Sequence, residues 1–121
     1  MATNYVQEGT VVEWNNGGSA VASGDVVVVG QILGVALEAI ANGASGMVQI
    51  AGVFTVPKVS AAVIAQGESL TWDVTASAFD DNAAIPATGD VTGAPAVAMA
   101  AAGNGDTTLD VLFTGVPGTV A

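Results

Sequence analysis

Cysteine and histidine are both absent from this 121-residue chain, and Lys58 alone faces eleven carboxylates, for a net charge of −10. Without cysteine there is no disulfide framework, no thiolate metal site and no thiol nucleophile. Without histidine the commonest general base is missing as well. One cation cannot neutralise a run of phosphates, so the composition speaks against nucleic-acid binding. It speaks equally against attraction to an anionic membrane surface. The longest apolar stretch, 26–41, is interrupted by Gly30, Gln31, Gly34 and Glu38, and it falls short of the ~20 apolar residues of a membrane helix. The opening Met1-Ala2-Thr3-Asn4-Tyr5 has neither the basic nor the apolar region of a signal peptide. No membrane, no nucleic acid and no cofactor are expected among the partners.

Aromatics are scarce at 5%, while hydrophobic residues reach 51% and the mean hydropathy is +0.62. A core built of Ala, Val and Gly buries little apolar area per side chain, at ~25 cal/mol per Å². The surplus points to partner surfaces, because large exposed apolar patches usually mark interfaces.

Sixteen glycines and other turn residues punctuate the chain. That spacing suits an all-β protein, a single-domain antiparallel β-sandwich or jelly-roll-like barrel spanning 1–121. Strands are expected at 6–15, at 26–29 (a valine run buried on both faces), at 34–40 and at 47–56, the last with Val48, Ile50 and Phe54 on one face and Pro57 ending it. One short helix is expected over 60–66, with Ser60 as N-cap and Gly67 as stop. Leu70, Trp72 and Val74 alternate with Ser69, Thr71, Asp73 and Thr75, the period of a half-buried strand. Segment 76–92, polar and turn-rich, reads as a surface loop. Segment 96–102 is Ala-rich enough to admit a helix. Leu109, Val111 and Phe113 alternate with Thr108, Asp110 and Thr114 in a last strand. Segments 34–53 and 96–116 echo each other faintly, but two hairpins of any β protein would do the same.

Reactive constellations are nearly absent. Lys58 follows Pro57, so no Gly-Lys phosphate loop exists, and Lys58 reads as a solvated surface charge. Asp80-Asp81-Asn82 and Gly103-Asn104-Gly105-Asp106 lack the alternate ligands and distal Glu of a calcium loop, so no metal site is expected. Trp14 and Trp72 read as packing residues.

Several stretches together resemble the phage capsid cement, or decoration, proteins, once catalogued as a domain of unknown function and often mislabelled as RecA-like recombinases. They are Asn4-Tyr5-Val6-Gln7-Glu8-Gly9, Ser23-Gly24-Asp25-Val26-Val27-Val28-Val29-Gly30, Gly34-Val35-Ala36-Leu37, Ile40-Ala41-Asn42-Gly43, Gly52-Val53-Phe54 to Pro57-Lys58, and Leu70-Thr71-Trp72-Asp73. Recombinase work needs a phosphate loop and a basic DNA path, and neither is present. The resemblance implies a non-enzymatic virion protein on the outer capsid surface, made in the host cytoplasm. Its implied partners are the major capsid protein and copies of itself, a trimer ahead of a dimer. Two other readings compete: a tail- or fibre-associated β module, and a carboxylate-dependent hydrolase using Asp73 or Glu68.

The first seven residues form a candidate arm. Thr3, Asn4, Tyr5, Val6 and Gln7 carry no side-chain charge, and an extended segment can add a strand to an exposed sheet edge. They are the candidate capsid or inter-subunit contacts. The alternative is that they simply begin the first strand.

Overall fold

A computed structural model describes residues 9–121. Its elements are β1 Val11–Asn15, β2 Val26–Val29, β3 Ile32–Ala36, β4 Ser45–Gln49, β5 Ala51–Pro57, β6 Ser69–Asp73, β7 Ala78–Asp80, β8 Val91–Ala98, β9 Thr108–Thr114 and β10 Thr119–Val120. All strand pairs are antiparallel. Four strands form one sheet in the order β1-β4-β3-β2. The other runs β5-β9-β8-β6-β7, with β10 on β8. Leu33 and Val35 of β3 enter the core of the larger sheet, so the two sheets pack as a β-sandwich.

The expected helix over 60–66 does not form. Ala62 and Ile64 are buried while Ala61, Val63 and Ala65 are exposed, which is the alternation of extended chain. Ile64 and Ala102 exchange both backbone hydrogen bonds, at 2.8 and 2.9 Å. Segment 96–102 is likewise not helical, since Ala96 and Ala98 lie buried in β8. The stretch 76–92 is more than a loop. It contains β7, whose Phe79 is fully buried, and the start of β8. The run 47–56 divides at Ile50 into strands of different sheets. Val48 and Ile50 therefore share one core while Phe54 packs against the other. The valines of β2 do serve two cores, Val26 and Val28 one and Val27 and Val29 the other. Only Val27 among them is fully buried, because β2 is an edge strand.

The faint sequence echo is a real repeat of architecture. β5, β9, β8 and β6 stand in the same order as β1, β4, β3 and β2. Backbone bonds recur in matching register. Val21 and Ile40 exchange bonds as Ile64 and Ala102 do. Gly24 N donates to Ala36 O at 2.8 Å, and Gly67 N to Ala98 O at 2.7 Å. Leu37 N donates to Met47 O at 3.0 Å, and Met99 N to Asp110 O at 2.9 Å. One four-stranded unit thus occurs twice, over roughly 11–50 and 51–114. The second copy differs chiefly by the insertion carrying β7. That strand closes the unit: it pairs with β6 and makes a parallel bridge from Phe79 to Lys58, with Val59 N donating to Phe79 O at 2.9 Å. In the first copy β2 and β3 are joined directly by Gly30-Gln31, and among the described residues no strand fills the equivalent place.

Candidate functional site

Most of the described carboxylates accept hydrogen bonds from the chain's own backbone. Four turns share one construction. Residues 22–25, 65–68, 87–90 and 103–106 each place glycine third, with φ of 91°, 83°, 91° and 97°, and an acid fourth. Positive φ at that position is what glycine tolerates and other residues resist. The acid's N–H donates to the first residue's carbonyl. Its carboxylate accepts from the first residue's N–H: Ala22 to Asp25 at 2.9 Å, Ala65 to Glu68 at 3.1 Å, Ala87 to Asp90 at 2.9 Å and Gly103 to Asp106 at 2.9 Å. Each turn leads into a strand. Residues 41–44 repeat the turn with Ala44 in the acid's place.

Both carboxylates considered as hydrolytic acids are committed to such bonds. Glu68 also accepts from Asn82 N at 3.0 Å, and Asp73 accepts from Thr75 N and Ala76 N. In the acidic triplet Asp80, Asp81 and Asn82, Asp80 accepts from Asp81 N and Asp81 from Ala83 N, so these residues brace a loop. Among the described residues no three His, Cys, Asp or Glu side chains group to hold a metal ion. No described helix is long and apolar enough to cross a membrane.

Lys58 is not solvated. It is 4% exposed, and its Nζ donates to the carbonyls of Val59 (2.8 Å), Ser60 (3.2 Å), Gly103 (3.0 Å) and Asp106 (3.0 Å). An ammonium has three protons, so four acceptors require one to be shared. Two of these carbonyls, of Gly103 and Asp106, belong to the loop weighed and rejected above as a calcium site. Asn16, buried at 2%, works in the same way. Its Nδ2 donates to Ser19 O and Ile40 O, and its Oδ1 accepts from Gly18 N. Sequence reasoning missed Lys58, Asn16 and the buried Asp90. The fourfold glycine-acid spacing was the readable signal for Asp90. No local signal marks the other two.

Trp72 is 5% exposed and heads a chain of edge-on ring contacts, 4.9 Å to Phe79, 6.0 Å from Phe79 to Phe113 and 5.9 Å from Phe113 to Phe54. Leu70, Val111 and Phe113 share its core. Val74 does not, lying 37% exposed beyond the end of β6. Trp14 is half-buried. It lines a groove of about 500 Å³ together with Asn16, Val27, Val28 and Trp72. Ile85, in the loop after β7, stands 94% exposed. Thr3, Asn4, Tyr5, Val6 and Gln7, with the whole candidate arm 1–7, lie outside the described residues.

The described site is thus a β-sandwich with most of its carboxylates turned onto its own backbone and a groove lined by uncharged residues. The family model of the phage cement proteins matches residues 6–113, and the chain belongs to that family. Its place is therefore with the capsid of a bacteriophage virion. No curated protein matches the chain.

Proposed function

We propose that this protein decorates the outer surface of a phage capsid, binds the major capsid protein and stabilises the shell by bridging neighbouring subunits. Membership of the cement family carries the reading. The acid-braced turns fit it, because they fix strand ends with the chain's own carboxylates. The role needs no catalysis and no cofactor. Copies associate as a trimer in preference to a dimer, and Thr3, Asn4, Tyr5, Val6 and Gln7 make contacts to capsid or to a neighbouring copy. Many weak contacts on a symmetric shell gain from effective concentration.

The test adds purified protein to capsids that lack it. Co-sedimentation, density on the outer shell and a higher capsid melting temperature are expected. Density on the tail, or none on the virion, would overturn the proposal in favour of a tail- or fibre-associated module.

A further inference from the structure

We infer that the first unit contains a vacant strand position, the counterpart of the one β7 fills in the second, and that residues 3–7 of a neighbouring copy occupy it. The inference rests on the reading of those residues as contacts.

In the second unit, β7 lies between β6 and the residue after β5. Thr71, Trp72 and Asp73 pair with Asp80, Phe79 and Ala78, and Phe79 bridges Lys58 in parallel. Carried through the repeat, Lys58 corresponds to Asn16, and β6 to β2. The outer edge of β2 has no strand partner among the described residues. An unpaired edge is a template for strand addition. The 500 Å³ groove sits at this position, lined by Trp14, Asn16, Val27 and Val28 of the first unit and by Trp72 and Val74 of the second. Val56, the counterpart of Trp14, is a smaller side chain that leaves room for Phe79. In the first unit the half-buried Trp14 stands there and lines the groove.

The occupant follows from charge and reach. Every residue lining the groove is uncharged, on a chain of net charge −10. Residues 3–7 are uncharged too, and Tyr5 offers an aromatic side chain where β7 offers Phe79. A guest placed like β7 runs parallel to β1. The groove lies at the Asn16 end of β1, but residues 3–7 join β1 at its other end, Val11. β1 has five residues, a span of about 17 Å. Residues 8–10 join Gln7 to Val11 in four steps, which reach only about 14 Å when extended. The segment therefore cannot fill the groove of its own chain, and it fills that of a second copy. Such head-to-tail exchange closes into a ring when the rotation permits.

The absence of cysteine makes the test direct. Chains carrying Tyr5→Cys are mixed with chains carrying Val29→Cys, the counterpart of Trp72 opposite Phe79, and oxidised both in solution and on capsids. A disulfide between the two chain types is expected in at least one setting, with none when Val53→Cys, exposed on the other sheet, replaces Val29→Cys. The inference is overturned by no disulfide in either setting, by equal yield with Val53→Cys, or by closure within single chains bearing both substitutions. If Val29→Cys does not fold, a photoreactive phenylalanine at position 5 serves instead. Adducts on Trp14 or 27–29 of another copy are expected, and adducts confined elsewhere refute the slot. Capsid binding of the unmodified chain is measured separately. Binding without the cross-link refutes the strand slot alone, whereas the cross-link without capsid binding refutes the proposed function alone.

Discussion

Asn16 and Lys58 hold the same position in the two halves of the molecule. Each follows the first strand of its unit. Each donates its backbone N–H to the residue just before the unit's last strand, Asn16 to Ala44 O at 2.9 Å and Lys58 to Thr107 O at 2.8 Å. Each buries a side-chain nitrogen against backbone carbonyls. A neutral amide suffices for two acceptors. The second unit brings four carbonyls together, and the concentrated negative dipole there favours a full positive charge.

Replacing Lys58 with Met should therefore destabilise the fold by about 2–4 kcal/mol, since bonds to a charged donor are worth about 1.5–3 kcal/mol and buried carbonyls would lose their partner. Lys58→Arg should fail to rescue it, because a planar fork does not suit four converging carbonyls. Urea denaturation of both variants measures this. A midpoint unchanged by Lys58→Met would mean water replaces the ammonium at no cost.

The acid-braced turns should differ in worth according to burial. Asp90 is 3% exposed and ties Val74 N and Ala87 N. Asp25 is exposed and ties Ala22 N alone. Asp90→Ala removes a buried carboxylate that ties two part-buried N–H groups and should cost about 1–3 kcal/mol in all, while water can replace the exposed Asp25 carboxylate. Melting temperatures of Asp25→Ala and Asp90→Ala in one buffer test the order, and equal shifts would contradict it.

Gly34 of β3 lies tight against β4. A Cβ there would lie 2.5 Å from Val48 Cγ1 and 2.9 Å from Gln49 O. Gly34→Ala should destabilise by about 1–3 kcal/mol through overpacking. Hydrogen exchange should show the loss centred on β2, β3 and β4, with β9 protected as before. Uniform loss across both sheets would show that the units do not loosen separately.

Legibility in the sequence followed the range of the forces involved. The alternations in β6 and β9 were readable because a two-residue period is local and tertiary packing agrees with it. The helix expected at 60–66 failed because capping and Ala propensity are weak. There Ser60 O is held by Lys58 Nζ and Ile64 by Ala102, a residue far along the chain. The sole cation looked like a surface charge because two of its four acceptors, on Gly103 and Asp106, are supplied by the distant turn before β9. The architectural repeat was faint because β7 and its flanking loop interrupt the second copy, and because matched positions such as Trp14 and Val56 differ in size. The recurrent glycine-acid turn was the legible trace of that construction. Of the candidate site, the sequence offered segment 3–7, which lies outside the described residues, and showed nothing of the groove, which exists only once β1 and β2 are brought near each other.

The two tryptophans should report on the two units differently. Trp72 lies in the closed unit beneath Phe79, and Trp72→Ala should cost about 3–5 kcal/mol, as buried aromatic truncations do. Trp14 is half-buried in the open unit, so less apolar area is lost from burial and Trp14→Ala should cost about 1–2 kcal/mol. With Trp72→Phe, fluorescence comes from Trp14 alone. Its emission in the free protein should be quenched by acrylamide. It should shift to shorter wavelength and become protected on capsids, once a neighbour's segment covers the indole. Trp14→Phe, which leaves Trp72, should show protected emission in both states. If Trp14 remains as accessible on the shell as off it, the groove stays open in the assembled virion and the strand exchange does not occur.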